Sequence, residues 1–277
     1  ANLDTLRARG LHVFGPDSGE QACGEIGPGR MEDPAVLVER LSGLFQSGRL
    51  AGRRVVVTAG PTREALDPVR YISNHSSGRM GYAVARAARE AGAEVILVSG
   101  PVALATPPGV RRIDVISAAD MHAAVLEQVP GCDIFIGVAA VADYRPSTVA
   151  AQKLHKRETA MTLELQRNAD ILADVAALPD PPFTVGFAAE TESVLEGAKN
   201  KRVAKGVDMI AANLVGAGLG FDVDENALHV IWEGGECELS RTGKTRLAVQ
   251  LVSLVADRFD SNNSQDKVIN FNAKDSA

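Results

Sequence analysis

Two glycine-rich stretches of this sequence carry residue types that could bind an anion. Thr-Ala-Gly-Pro-Thr at 58–62 follows a short apolar run, and Asn-His-Ser-Ser-Gly at 74–78 precedes an alanine-rich amphipathic stretch. Small residues that open a helix leave backbone N–H groups able to hold a phosphate or carboxylate, and the helix dipole favours the negative charge. A capped loop-to-helix turn without a ligand explains the pattern equally well, so two interpretations stand side by side.

Small residues also end two further apolar runs. Gly-Val-Ala-Ala-Val-Ala at 137–142 leads into Asp143, and Val-Gly-Phe-Ala-Ala at 185–189 leads into Glu190. Small side chains let a ligand approach the backbone closely, which is typical of binding sites at strand ends. The alternative is that Asp143 only caps a turn.

Lysines supply the densest positive charge near these stretches. A basic run covers Lys-Leu-His-Lys-Arg at 153–157, and Lys201 and Lys205 lie four residues apart in a predicted helix. Residues at this spacing project from one helical face, where two like charges repel each other unless an anion lies between them. A triphosphate would be such an anion, although a solvated helix surface accounts for the lysines without any ligand.

Motifs of several other chemistries are missing. Gly-Lys-Thr at 243–245 resembles the end of a phosphate-binding P-loop, but Glu238 occupies the position of its first glycine, so we expect it only to open the last helix. No predicted strand is followed by Gly-x-Gly-x-x-Gly, which disfavours a nicotinamide enzyme. The histidines and the three cysteines (Cys23, Cys132, Cys237) lack metal-ligand spacing, so we expect reduced thiols and no structural zinc.

The composition is that of a globular protein. The 277 residues are 45% hydrophobic and 23% charged, and 29 Lys+Arg against 35 Asp+Glu give a net charge of −6. This balance argues against a nucleic-acid partner, whose phosphates require a clear excess of Lys and Arg. No apolar run approaches the roughly 20 residues that span a bilayer, and no signal-peptide core opens the chain, so we expect a cytoplasmic protein without membrane contact.

Short apolar runs alternate with longer amphipathic stretches from residue 53 onward. The apolar runs predict buried parallel strands at 55–57, 95–98, 134–138, 183–187 and 209–212. The amphipathic stretches predict helices at 78–91, 118–129, 169–178, 192–205 and 244–258, with Ser117 and Asn168 before two of them. Two short runs around Gly234-Gly235 predict an antiparallel hairpin. The predicted fold is α/β, a doubly wound Rossmann-like, mainly parallel sheet with helices on both faces and a C-terminal β-hairpin.

The two ends of the chain depart from this alternation. Residues 1–50 combine an irregular glycine-rich loop with a predicted helix at 34–45, and they hold too few apolar residues for a core of their own. Residues 51–260 form the predicted main domain. Residues 261–277 are rich in Asn, Ser, Asp and Lys, which predicts a disordered tail.

The motifs at 58–62, 72–81, 138–145 and 186–191 together resemble the bacterial phosphopantothenate-cysteine ligases, or phosphopantothenoylcysteine synthetases, of coenzyme A biosynthesis. The resemblance covers about residues 53–259. In bacteria this ligase is usually the C-terminal half of a bifunctional chain whose N-terminal half is a flavin-dependent phosphopantothenoylcysteine decarboxylase. Residues 22–31 look like the substrate clamp of that decarboxylase, with Cys23 at the position of its proton donor. Residues 1–50 would then be a decarboxylase remnant.

This resemblance implies a two-step, CTP-dependent reaction. The carboxylate of 4'-phosphopantothenate attacks the α-phosphate of CTP and releases pyrophosphate, and the amine of L-cysteine then displaces CMP from the acyl-cytidylate. Because an anion attacks a polyanion, positioned cations must carry much of the catalysis, and the resemblance assigns this to lysines and a divalent metal, usually Mg²⁺, whose ligands it leaves unidentified. FMN would serve only the decarboxylase half, so we expect no decarboxylation by this chain alone.

The resemblance also implies the site residues. It assigns the nucleotide to Gly137, Val138, Ala139, Asp143, Lys153, Ala169, Asp170, Ile171, Leu172, Phe187, Lys201 and Lys205. It assigns the other substrate to Asn74, Ser76, Ser77 and Gly78. Asn74 would hold the carbonyl region of the acyl intermediate, because an amide donates and accepts hydrogen bonds without charge. Lys153 matches the essential lysine of the family.

One departure and several alternatives remain at this point. His155 replaces the middle lysine of the family's Lys-x-Lys-Lys loop, which predicts altered triphosphate affinity or pH dependence. The resemblance further implies a homodimer that buries sheet residues near Ala139 and Ala140, a higher assembly through the decarboxylase in a full chain, and a flap formed by the Lys153 loop. A nucleotide-binding module without turnover and a nicotinamide oxidoreductase are the competing classes. The residues alone do not separate CTP from ATP, because both carry the same triphosphate.

Overall fold

Two compact units make up the chain, residues 1–47 and residues 48–277. The computed structural model describes residues 2–20, 24–44, 48–155, 161–190, 194–214 and 225–274. The boundary between the units lies close to the predicted one after residue 50.

The first unit contains two helices and one hairpin. Its elements are α1 (Asn2–Ala8), β1 (Asp17–Glu20), β2 (Ile26–Arg30) and α2 (Pro34–Leu44). β1 and β2 pair antiparallel, with Gly19 opposite Gly27, so the stretch expected to be an irregular loop includes a short ladder. Backbone N–H and C=O groups pair regardless of side chain, which explains why the glycine content hid this hairpin.

The second unit carries the remaining elements. Its strands are β3 (Arg54–Ala59), β4 (Arg63–Ala65), β5 (Tyr71–Ser73), β6 (Glu94–Ser99), β7 (Arg111–Asp114), β8 (Ile134–Gly137), β9 (Tyr144–Pro146), β10 (Leu165–Arg167), β11 (Phe183–Glu190), β12 (Met209–Leu214), β13 (Glu225–Trp232) and β14 (Gly235–Gly243). Its helices are α3 (Arg79–Glu90), α4 (Ala118–Gln128), α5 (Ile171–Ala176), α6 (Val194–Lys205) and α7 (Lys244–Lys274). Two small hairpins, β4–β5 and β9–β10, lie outside the main sheet.

The main sheet has eight strands in the order β14-β13-β12-β11-β8-β3-β6-β7. All pairs from β12 to β7 are parallel, whereas β13 and β14 add an antiparallel hairpin at one edge. In chain order the six parallel strands follow the 3-2-1-4-5-6 arrangement of doubly wound Rossmann sheets, and the order reverses between β3 and β8. The predicted fold class, including the C-terminal hairpin, is confirmed.

Helices cover both faces of this sheet. Val55 and Val57 of β3 belong to a core shared with α3 and α7, whereas Val56 belongs to a second core shared with α4 and α5. Successive side chains of a strand point to opposite faces, so each face needs its own apolar residues. This is why the buried parallel strands are continuous apolar runs.

The predicted helix starts differ in accuracy. Ser117 caps α4, accepting from the Asp120 N–H at 3.1 Å in a capping box, as the sequence predicted. α5 begins later than predicted, because Asp170 and not Asn168 is its cap and accepts from the Ala173 N–H at 3.2 Å. The Asn168 amide instead donates to the Ala142 carbonyl at 2.7 Å. Asn and Asp are both favoured N-cap residues. Asp170 caps α5 because the side chain of Asn168 is bonded to Ala142 instead.

The last helix is longer than predicted. α7 continues to Lys274, which corrects the expectation of a disordered tail for residues 261–274. Helical hydrogen bonds are local, and residues 259–274 contain neither Gly nor Pro to end the helix. Its N-terminal half buries Leu247, Leu251 and Val255 against the sheet.

Candidate active site

Two cavities adjoin at the carboxyl ends of the parallel strands, beside the reversal between β3 and β8. Both are lined by Ala139 and Phe187. We call the first the strand-end cavity; of the predicted nucleotide residues it is lined by Gly137, Ala139, Asp143, Ala169, Asp170, Ile171, Leu172, Phe187 and Lys205. We call the second the helix-start cavity; it is lined by Gly60, Ser76, Ser77, Gly78, Arg79, Val138, Asn213, Asn226 and Lys244, among others. Ligands of open α/β sheets bind at this position.

Hydroxyl side chains at the end of β3 and in the loop after it fix the backbone that follows β8. The Thr58 Oγ1 atom accepts from the N–H groups of Val138 and Ala139, each at 3.2 Å. The Thr62 Oγ1 atom accepts from the Ala142 N–H at 2.9 Å. The motif at 58–62 therefore fixes the position of the small-residue backbone that lines both cavities.

Asn168 is buried in the lining of the strand-end cavity, where its hydrogen bonds fix the neighbouring backbone. Its amide donates to the Ala142 carbonyl, and its Oδ1 atom accepts from Arg145 Nη1 at 2.6 Å. Its own N–H donates to the Asp143 carbonyl at 2.8 Å. A buried amide with both ends bonded is a strong constraint, because leaving either end unpaired would cost about 1–3 kcal/mol.

The start of α3 forms the wall of the helix-start cavity. Gly78, the residue before α3, has φ +76°, and a Cβ there would lie 2.9 Å from the Val102 Cγ1 atom. Gly78 has no side chain with which to cap α3, and the Ser76 Oγ atom accepts from the Gly78 N–H at 3.4 Å, so the turn at 74–78 is held in part by a side chain. An uncapped helix start that lines a cavity is suited to an anion.

Asn74 lies just outside the cavity linings and bonds to the loop after β8. Its amide donates to the carbonyls of Ala140 at 3.0 Å and Val141 at 3.2 Å. Both donors of the amide are therefore used within the chain, and its oxygen is the group left to contact a substrate. The role of Asn74 as donor and acceptor toward the acyl intermediate stays a prediction.

The predicted lysines do not converge on one anion. Lys205 lines the strand-end cavity but forms an ion pair with Asp170, whose carboxylate lies 2.9 Å from its Nζ atom. Burial opposes ionisation of Asp170, but the Lys205 ammonium and the Ala173 N–H outweigh it and hold the pKa of Asp170 below its ordinary value. Lys205 is thus paired with a carboxylate of the chain, and its predicted contact with the nucleotide stays a prediction. Lys153 and Lys201 are exposed and line neither cavity.

Lys244 is the site residue that the sequence analysis dismissed. It opens α7 as predicted, but it is only 8% exposed and lines the helix-start cavity opposite Ser76, Ser77 and Gly78. Asn213 and Asn226 line the same cavity and were also missed. The lysine of a Gly-Lys-Thr turn was the available signal, and it was set aside because the rest of the P-loop motif is absent.

Other predicted features fall outside what the structure describes or tests. Cys23 lies outside the described residues, as do residues 156 and 157 of the basic run. In the described ranges no group of three or more His, Cys, Asp or Glu side chains could hold a metal ion. No described helix is both long and apolar enough to cross a membrane.

The strand order and the cavities at the strand reversal define a Rossmann-like α/β protein with candidate ligand cavities at the carboxyl edge of its sheet. More narrowly, the chain belongs to the DNA/pantothenate metabolism flavoprotein C-terminal domain family, whose sequence model matches residues 50–259. This match covers nearly the whole predicted main domain.

Individual relatives agree with this assignment. The coenzyme A biosynthesis bifunctional protein CoaBC of Vibrio cholerae is 53% identical over 93% of this chain and 65% of its own length. The protein of the same name from Escherichia coli is 51% identical over 95% of this chain and 66% of its own length. The chain thus spans slightly less than two thirds of these curated relatives. A crystal structure of the C-terminal domain of a CoaBC protein is 40% identical, with a TM-score of 0.67, and covers 77% of this chain and 99% of that domain.

Proposed function

We propose that the second unit of this chain is a CTP-dependent ligase that joins 4'-phosphopantothenate and L-cysteine to give 4'-phosphopantothenoylcysteine, CMP and pyrophosphate. The observation that carries the proposal is the pair of adjoining cavities at the strand reversal, one with anion-binding character and one lined by small strand-end residues. The relatives named for coenzyme A biosynthesis support this choice among nucleotide-dependent reactions.

We assign the triphosphate of CTP to the helix-start cavity. The uncapped start of α3, the glycines Gly60 and Gly78, and the buried Lys244 offer backbone N–H groups and an ammonium to phosphate oxygens. The pyrimidine nucleoside then lies in the strand-end cavity, across Ala139 and Phe187. In this arrangement the α-phosphate lies where the two cavities meet, and the substrate carboxylate attacks it there.

The second step uses Asn74. Its amide is held by two backbone carbonyls beside the junction of the cavities, which leaves its oxygen to accept from the attacking amine of cysteine. Orienting a nucleophile with a fixed neutral group lowers the entropic cost of attack without adding a charge. The amine displaces CMP from the acyl carbon, and an amide bond forms.

The cofactor assignments remain proposals. Mg²⁺ usually keeps several waters and binds through substrate phosphates, so we propose that it enters with CTP. We further propose that residues 1–47 derive from a flavin-dependent decarboxylase with Cys23 as its proton donor, and that FMN serves the decarboxylase and not the ligase unit. The homodimer, the flap role of the Lys153 loop and the effect of His155 likewise stay predictions.

The test is pyrophosphate release by the purified chain with Mg²⁺ and 4'-phosphopantothenate. CTP is compared with ATP, each with and without cysteine. We expect release with CTP, and CMP together with phosphopantothenoylcysteine only when cysteine is present. CTP binding without release would favour a nucleotide-binding module, and preferential binding of NAD would favour an oxidoreductase.

A further inference from the structure

A buried carboxylate outside both cavities, Asp67, gathers an unusual number of hydrogen bonds. It lies in the turn between β4 and β5, and its side chain is fully buried. It accepts from the N–H groups of Val69 and Arg70, each at 2.8 Å, and from Arg70 Nε and Nη2 at 2.9 and 2.6 Å. The Arg70 guanidinium, helped by these backbone donors, holds the pKa of Asp67 well below its usual range against the effect of burial.

Asp67 and Arg70 also form hydrogen bonds with the loop that carries Lys153. The Leu154 N–H donates to the Asp67 Oδ2 atom at 3.1 Å, and Arg70 Nη2 donates to the Leu154 carbonyl at 2.8 Å. A third bond joins the Ala150 N–H to the Leu66 carbonyl at 3.0 Å. Both backbone groups of Leu154 are therefore fixed, while the side chain of Lys153 next to it is exposed.

The β4–β5 hairpin also leads directly to Asn74. Asn74 follows the last residue of β5, Ser73, whose hydroxyl donates to the Thr62 carbonyl at 2.7 Å. The turn of this hairpin thus bonds to the loop that carries Lys153, and its second strand leads into Asn74. Its two-stranded ladder contains only three residue pairs, so these side-chain bonds contribute much of its order.

We propose that Asp67, through Arg70 and Leu154, is a positioning residue that holds Lys153 ready to bind the triphosphate. This inference rests on the proposed function, and it adds Lys153, whose loop lies outside both cavity linings, to the groups proposed above as ligands of the CTP triphosphate. Asp67 itself touches no substrate. Its role is to remove conformational freedom from a loop whose lysine would otherwise lose that freedom at the moment of binding.

Hydrogen exchange tests the anchor without relying on activity. In the wild-type chain the amides of Ala150 and Leu154 should exchange slowly. Asp67→Asn, nearly equal in size but uncharged, should speed exchange of the Leu154 amide at least about tenfold, since a charge-assisted acceptor is lost. Asp257→Asn is the matched control. It removes the α7 carboxylate that pairs with Arg49 and should leave the exchange of this loop unchanged. Fast exchange of Leu154 already in the wild-type chain would overturn the anchor.

A double-mutant cycle tests the link to Lys153. The dissociation constant of CTP is measured by calorimetry with Mg²⁺ for the wild-type chain, Asp67→Asn, Lys153→Ala and the double variant. Each single change should weaken binding about tenfold, and the double variant should bind no more weakly than Lys153→Ala alone. Additive losses, or unchanged binding by Asp67→Asn, would overturn the positioning role.

The two proposals fail in different ways. A wild-type chain that binds no CTP overturns the proposed function and the positioning role with it. Wild-type binding and turnover combined with an additive cycle overturns only the role of Asp67. Thermal unfolding and exchange of the β3 amides in each variant report whether Asp67→Asn has disturbed the sheet.

Discussion

At the scale of single residues, Asn74 is the strongest test of the chemistry. Asn74→Asp cannot donate to the Ala140 and Val141 carbonyls, and its charge would face both oxygens. We expect this variant to release pyrophosphate in a burst and then accumulate acyl-cytidylate, because step one does not need the amide. Rapid-quench analysis with labelled CTP measures the intermediate, and His75→Gln is a neighbouring exposed control. A variant unable to release pyrophosphate would contradict the assigned role.

Lys244 is predicted to carry more of the triphosphate binding than an exposed lysine such as Lys199. Lys244→Met keeps most of the buried side-chain volume but removes the charge that lines the helix-start cavity. Charge-assisted hydrogen bonds contribute about 1.5–3 kcal/mol, so the KM for CTP should rise roughly 10- to 100-fold. Lys199→Met, which removes an exposed partner of Glu236, serves as the control in the same assay. Equal effects of both variants would refute a specific role for Lys244.

Cys132 illustrates how burial removes reactivity. Its thiol donates to the Ile134 carbonyl at 3.0 Å, and burial raises its pKa to about 11. A raised thiol pKa means that almost no thiolate exists at pH 8, and the thiolate is the reactive form. Because the raised pKa keeps Cys132 almost entirely in the thiol form, mass spectrometry after brief iodoacetamide treatment should find Cys237 alkylated before Cys132. Equal labelling of the native chain would contradict the raised pKa of Cys132.

At the scale of elements, the close packing of α3 on β3 decides where the helix-start cavity lies. A Cβ at Gly81 would meet the Ala59 Cα atom at 3.0 Å and the Thr58 carbonyl oxygen at 3.1 Å. Gly81→Ala should therefore push the helix away from the strand and lower the free energy of unfolding by about 1–3 kcal/mol. Urea unfolding measures this loss. Gly243→Ala, where the new methyl group meets open space, should change stability little.

The β4–β5 hairpin shows how a small element gains importance from its neighbours. Beyond Asp67, it contributes Glu64, whose buried carboxylate accepts from the Ala118 N–H at 2.9 Å at the start of α4. The hairpin therefore bonds to a helix on one side and to the lysine loop on the other. Its sequence alone gave no sign of either contact, because both partners are distant along the chain.

At the scale of the whole molecule, Asp67 links stability to acid. Its pKa is depressed in the folded chain, so the unfolded chain takes up a proton first as pH falls below about 4. The stabilisation from Asp67 is thus fully present at neutral pH and is lost progressively as the pH falls below about 4. Urea unfolding at several pH values should give a steeper acid loss for the wild-type chain than for Asp67→Asn, and the two curves should converge. Parallel curves would contradict the depressed pKa.

The sequence by itself determined the architecture of the second unit. Parallel strands buried on both faces need continuous apolar runs, and helices covering them need amphipathic periods, so both patterns are local and readable. The small-residue motifs at 58–62, 74–78 and 137–142 were readable for the same reason, because close backbone approach requires small side chains wherever it occurs.

Only the tertiary structure decided which charged and polar groups meet. Lys205 pairs with Asp170, Lys244 lines the same cavity as Ser76 and Gly78, and Asp67 accepts a hydrogen bond from the Leu154 N–H. Each case brings together residues distant along the chain, and charged side chains of these types are equally common on a solvated surface. A pattern in the sequence reports which face of an element is buried, whereas an ion pair or a hydrogen bond depends on which two elements the fold brings together.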